Sequence, residues 1–191
     1  MVLAKKIFAK IFAFFVVSKI KKSYANAAQI QINTLRRLIN KAEKTKFGIE
    51  HQFHKINSVE EYIDKVPVRD YEDIKKYIDE IKKGIKDILW PGKPKYLAKT
   101  SGTTSGVKHI PITNESMPNH ILSSRNALLF YLYETGDTSF LNGKTIFLQG
   151  SPVLDEINGI LVGRLSGIVA HHIPPYLRKN NLPSIKTNSI E

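Results

Sequence analysis

Between two short apolar segments the chain reads Thr100-Ser101-Gly102-Thr103-Thr104-Ser105-Gly106-Val107-Lys108, a run of hydroxyls and glycines that closes on a lysine. These residue types in this order can hold an anion. Glycines let the backbone turn successive N–H groups inward, and such a run forms an anion-binding nest. Hydroxyls add donors, and Lys108 adds positive charge. A polyphosphate is the ligand this chemistry suits. The run is not a nucleotide loop of the G-x-x-x-x-G-K-[ST] type. Three residues separate Gly102 from Gly106, Lys108 does not follow a glycine, and His109 stands where a magnesium-binding hydroxyl would be. The same composition also makes plain surface loops, and the residues alone leave both readings open.

Other candidate chemistry is thinner. The chain has no cysteine, which excludes disulfides, thiolate metal sites and a cysteine nucleophile, and fits a reducing compartment. His51 and His54 have a spacing a metal could use, but no third ligand lies near them in sequence, and packed or surface histidines are the expectation. The adjacent pair His171-His172 cannot easily share one ion. Arg125 is the one basic side chain in the middle of an apolar helical stretch, a candidate partner for a carboxylate or phosphate and equally a solvent-facing arginine.

The loop resembles the phosphate-binding loop of the adenylate-forming superfamily. Its flanks narrow the resemblance. Val66-Pro67-Val68 with Tyr71-Glu72-Asp73-Ile74-Lys75, then Leu89-Trp90-Pro91-Gly92, then Lys108-His109-Ile110-Pro111-Ile112-Thr113 are similar to the auxin-responsive promoter family of acyl-acid amido synthetases in its bacterial form. The similarity runs from about Phe47 to the end of the chain. Relatives often carry an extra residue or a proline before the lysine, whereas Val107 alone separates Gly106 from Lys108 here.

The resemblance implies an α/β fold: the N-terminal part of the large domain of the adenylate-forming enzyme fold, with an incomplete sheet and an amphipathic helical N-terminal arm. It implies ATP and Mg2+ as cofactors, and a carboxylic acid and an amine or amino acid as small-molecule partners. The carboxylate attacks the α-phosphorus of ATP, and the amine then takes the acyl group from the adenylate. Thr100, Ser101, Gly102, Thr103, Thr104, Ser105 and Gly106 would cradle the β- and γ-phosphates, and Lys108 would offset developing charge as the catalytic residue. Arg125 would border the acyl pocket as a substrate-binding residue. No protein metal ligand is assigned. The segments that bind adenine, ribose and magnesium in the family have no counterpart here. The expectation is therefore an N-terminal portion of a cytoplasmic ligase, inactive by itself, with a nucleotide-binding or membrane-surface module without catalysis as the alternative.

Stepping outward from the loop, Tyr96-Leu97-Ala98 and His109 to Thr113 read as the strands that flank it. Ser58 and Glu61 have capping-box spacing for a short helix that Pro67 ends. Asp70 and Asp73 repeat the pattern for a helix whose inner stripe is Ile74, Ile78 and Ile81 and whose stop is Gly84. Trp90 is expected to pack in the core. A long helix is expected from Asn114 to about Glu134, capped by Thr113 or Asn114, with Met117, Ile121, Leu128 and Leu132 inward and Gly136 ending it. Lys144 to Leu148 reads as a buried strand, Ile157 to Ala170 as strand or loop then helix, and Pro174-Pro175 as the start of a loop-like tail.

The domain organisation expected is an arm, residues 1–46, packed on a body, residues 47–191, that carries loop 100–108. The arm holds eleven Lys and Arg against one acid, Glu43, a net +10 of the chain's +12. Leu3, Ile7, Ile11, Phe14 and Phe15, then Ile32, Leu35, Leu38, Ile39 and Ala42, recur at helical spacing, with Gly48 as the C-terminal cap of the second helix. Lys10 breaks the apolar run that a signal peptide or spanning helix would need. Solvated lysines on a packed helix are the first reading. An anionic membrane surface touched by residues 1–22 is the alternative. Nucleic acid is not an expected partner, because the arm has no recognition motif.

Overall fold

The computed structural model describes residues 2–100 and 106–190. The helices before the loop are α1 (Val2–Tyr24), α2 (Ala27–Ala42), α3 (Lys46–Glu50), α4 (Val59–Lys65) and α5 (Tyr71–Lys82). Strands β1 (Tyr96–Lys99) and β2 (His109–Ile112) flank the loop, and α6 (Met117–Thr135) follows. The rest comprises β3 (Thr145–Ile146), β4 (Asp155–Ile157), β5 (Ile160–Arg164), α7 (Leu165–Ala170), α8 (Pro175–Arg178), β6 (Asn181–Leu182) and α9 (Ile185–Asn188). The chain divides into two compact units. One comprises Ala27–Glu115 and Leu154–Leu165. The other comprises Met1–Asn26, Ser116–Val153 and Ser166–Glu191.

The first unit is built on a four-stranded sheet in the order β2-β1-β5-β4. Central β1 pairs antiparallel with β2 and parallel with β5, with Leu97 opposite Pro111 on one side and Val162 on the other. Asn158 and Gly159, both at positive φ, close the β4–β5 hairpin as a two-residue turn. Helix α5 covers one sheet face with the stripe its sequence spacing dictates. Tyr77, Ile78 and Ile81 are buried in one cluster with Ile88, Leu97, Ile160 and Val162. Each fully buried aliphatic side chain there contributes roughly 1.5–3 kcal/mol.

The starts of the helices in this unit follow their sequence. Ser58 accepts the N–H of Glu61, and the Glu61 carboxylate reaches one residue further back than expected, to the N–H of Asn57. Asp70 and Asp73 form the full reciprocal capping box on α5. Gly48 is a correction. It is not a C-terminal cap but lies buried inside α3, where a Cβ would stand 2.1 Å from the Ala42 carbonyl oxygen. Glycine is required there because two backbones meet. Helix α2 ends earlier, at Ala42, and the buried Thr45 caps α3 by accepting the N–H of Gly48.

In the second unit α1 packs along α6. Ala13 and Val17 are buried with Leu129 and Leu132. The stripe expected to face inward on α1 is the outer one, since Leu3, Ile7, Ile11, Phe14 and Phe15 are exposed. Apolar side chains occur on every side of the helix, interspersed with six lysines, so more than one face could pack. Helix α6 begins later than expected, with Ser116 in the N-cap position and Pro118 in the first turn, and ends at Gly136. Of its expected inner edge Met117 and Leu132 are buried, but Leu128 is exposed.

The expected buried strand from Lys144 to Leu148 is also corrected. Only Thr145–Ile146 pairs, parallel to β6 in a separate two-stranded ladder, and Ile146 and Leu148 are 73% and 88% exposed. Among the described residues nothing packs over that apolar run. The stretch expected as a tail forms α8, β6 and α9, with Ser184 capping α9 by accepting the N–H of Thr187.

Candidate functional site

The strand–loop–strand expectation holds at both stems of the loop. Lys99 of β1 stands opposite His109 of β2. One step further, the N–H of Thr100 donates to the Lys108 carbonyl at 3.0 Å, so the pairing extends to Thr100 and Lys108. The loop therefore starts and ends on adjacent strands of a sheet whose central strand is buried. Of the candidate residues, Thr100, Gly106 and Lys108 are brought together at these stems. Ser101, Gly102, Thr103, Thr104 and Ser105 lie outside the described residues. Gly106 has φ +78°, and among the described residues nothing lies within 4 Å of where a Cβ would stand, so its glycine answers a backbone need.

Helix α5 fixes the exit of the loop. Tyr71, its first residue, follows the Asp70 cap, and its hydroxyl accepts the His109 N–H at 2.9 Å. The half-buried Lys108 lies with Nζ 5.2 Å from the centre of the same ring. In the sequence Tyr71 stands out only as part of a motif upstream of the loop. Its position one residue after a capping aspartate was the signal that it would stand at a fixed helix end.

The surroundings of the loop exit are basic. Burial lowers the pKa of His109, and the positive charges of Lys82 and Lys99 lower it further. Burial first, and these two lysines second, thus hold His109 toward the neutral form against the opposing charge of Asp79. Lys99, at the end of β1, pairs with Asp155 of β4 at 2.5 Å, which ties the entry stem to the sheet edge.

The remaining candidates are elsewhere. Arg125 is exposed on α6, with its guanidinium on the Asn126 side-chain oxygen and 5.8 Å from the Phe12 ring centre. His51 is buried and stacks on Phe47. Its Nδ1 lies 2.8 Å from the Phe47 carbonyl oxygen and its Nε2 3.0 Å from the Arg69 guanidinium. His54 is exposed, and the His171 ring lies on the Pro152 carbonyl. Among the described residues no group of three His, Asp or Glu side chains could hold a metal ion. Trp90 packs beside the cluster of Ile39, Ala42, Phe53 and Ile56, as expected for a core tryptophan.

The two stems stand on adjacent strands of a mixed α/β fold, with Gly106 and Lys108 at the exit stem. Residues 16–190 match the model of the GH3 family N-terminal domain. The chain belongs to the GH3 family, the auxin-responsive family of acyl-acid amido synthetases that its loop and flanks resemble. Indole-3-acetic acid-amido synthetase GH3.15 of Arabidopsis thaliana is 33% identical over 144 residues, 72% of this chain and 23% of that protein. The solved structure of GH3.15 acyl acid amido synthetase superimposes with TM-score 0.72 at 26% identity, over 82% of this chain and 28% of that one. A second, AtGH3.15 acyl acid amido synthetase in complex with 2,4-DB, has TM-score 0.72 at 24% identity over 90% and 30%, a likeness of fold. The fold is thus that of the N-terminal region of GH3.15, and the chain spans under a third of the length of these relatives.

Proposed function

We propose that this chain provides the ATP-phosphate-binding part of an acyl-acid amido synthetase, and that loop 100–108 is the element that does it. The observation that carries the reading is the loop exit. Gly106 turns the backbone at positive φ and Lys108 follows, seated on Tyr71 in a basic field. Backbone N–H groups and hydroxyls of residues 100–106 would hold the β- and γ-phosphates, and Lys108 would balance charge on the departing pyrophosphate. Family membership and the named relatives support the acid and the amine or amino acid as the other reactants.

ATP fits the stems, which offer positive charge and an open backbone turn. Mg2+ has no cluster of carboxylates on the described residues and would be held through phosphate oxygens. A cytoplasmic site suits both the ATP requirement and the absence of cysteine. Arg125 remains a proposed carboxylate partner on α6. The chain's own contribution is binding, with adenylation requiring more of the protein than these residues. That rests on the chain's covering 28% of a solved relative.

The test is ATP–pyrophosphate exchange by the 191-residue chain in the presence of varied carboxylic acids, alongside thermal stabilisation by ATP. Stabilisation without exchange is the expected result. Exchange above background would refute the division of labour, and absence of any response to ATP would refute the reading of the loop.

A further inference from the structure

Helix α1 presents apolar side chains on two faces, and α6 covers only one. Ala13 and Val17 are buried there with Leu129 and Leu132. On the other side Leu3, Ile7, Phe8, Ile11 and Phe15 form a continuous stripe that runs from 50% exposed at Ile11 to 71% at Leu3. A stripe of that size left in water costs roughly 25 cal/mol for each Å² that a partner would otherwise cover.

The charges on the helix say what that partner is. Helix α1 has no Asp or Glu and carries Lys5, Lys6, Lys10, Lys19, Lys21 and Lys22. At 3.6 residues per turn, Lys10 and Lys21 fall along one edge of the stripe and Lys5 and Lys19 along the other. Lys5 and Lys21 also reach the Leu141 carbonyl and the Glu134 carboxylate, whose contacts fix the outer face relative to α6. A protein partner burying this stripe would have to neutralise lysines on both edges. A layer of anionic headgroups over hydrocarbon does so everywhere at once, because long lysine stems let the charge reach outward while the stripe enters.

Two further observations agree. No described helix is long and apolar enough to cross a membrane, so the contact is with the surface. All five stripe residues also precede residue 16, where the match to the family model begins.

We propose that α1 docks this chain on an anionic lipid bilayer, with the Leu3-to-Phe15 stripe among the acyl chains and the flanking lysines on lipid phosphates. The helix lies in the interface plane, held by α6 behind it.

The experiment is co-sedimentation of the full 191-residue chain with phosphatidylcholine–phosphatidylglycerol vesicles and with phosphatidylcholine vesicles alone. The expected result is binding to the mixed vesicles at least about tenfold stronger than to the neutral ones, weakening as salt is raised. The triple variant Phe8→Ser, Ile11→Ser, Phe15→Ser removes only exposed side chains and should keep the wild-type melting curve while losing vesicle binding. Lys10→Gln with Lys19→Gln should weaken binding to mixed vesicles and leave neutral vesicles unaffected. Absence of binding to mixed vesicles overturns the proposal, as does equal binding by the folded triple variant. A lipid-free dimer that the triple variant abolishes, with no vesicle binding by the wild type, overturns it in favour of a second copy on the stripe.

Discussion

The Tyr71 hydroxyl accepts the backbone N–H of His109 at 2.9 Å, and the same ring lies under the neighbouring Lys108. One side chain, set at the first position of a capped helix, thereby fixes both the backbone and the lysine at the exit of the loop. The consequence is separable by mutation. Tyr71→Phe keeps the ring and leaves the His109 N–H without its acceptor, and should cost about 1–3 kcal/mol in urea unfolding with little change in ATP affinity. Tyr71→Ala also unseats Lys108 and should weaken ATP binding, read by titration. Equal nucleotide affinity in both variants would show that the ring does not position the lysine.

Asp70 places Tyr71. Its carboxylate accepts the N–H of Asp73 at 3.0 Å within the capping box. Asp70→Ala should destabilise the chain by about 1 kcal/mol, measured as a lower urea midpoint at unchanged slope. Asp70→Asn, which keeps an acceptor, should recover most of the loss.

Two glycines should respond to alanine in different ways. At Gly106 the new Cβ meets open space and only the positive φ resists it, so Gly106→Ala should cost about 1–2 kcal/mol and still fold. At Gly48 the Cβ would stand 2.1 Å from a backbone oxygen, and Gly48→Ala should shift α3 off the end of α2. Circular dichroism with urea melts distinguishes a folded, weakened chain from one that has lost cooperative unfolding.

His109 makes stability depend on pH with a definite sign. Burial and the charges of Lys82 and Lys99 lower its pKa in the fold, so the folded chain resists the proton that the unfolded chain accepts at about 6.5. Above that value the residue is neutral in both states and has no such effect. As pH falls through it, the unfolded state gains protons first and stability declines, until the folded residue also titrates. His109→Gln should flatten the decline below about pH 6.5, followed by urea midpoints at each pH. A variant with the same slope as wild type would remove His109 as its source.

Local chemistry was legible where one short-range rule decides the outcome. Asp70 with Asp73, the stop before Pro67, the end at Gly136 and the strands around loop 100–108 are such cases. Elements whose outcome depends on a partner were not. Helix α1 has apolar side chains on every side, with lysines between them, so its sequence cannot say that Ala13 and Val17 go inward while Leu3 and Phe15 stay out. Lys144 to Leu148 has the composition of a buried strand but lacks cover. Gly48 reads as a helix end because glycine commonly marks one, yet its reason is the approach of the Ala42 carbonyl, which is invisible until α2 and α3 meet. The Asn158-Gly159 turn went unread in the stretch from Ile157 to Ala170, although Asn-Gly is the common dipeptide of two-residue hairpin turns.

The central claim is that loop 100–108 binds the phosphates of ATP. Calorimetric titration of ATP into the 191-residue chain and into its Lys108→Ala variant tests it most directly. The wild type should bind saturably, and binding should weaken about tenfold in the variant, the loss expected when one charge-assisted contact of ~1.4 kcal/mol is removed. Saturable binding of equal strength in both chains, or no binding by the folded wild type, would contradict it.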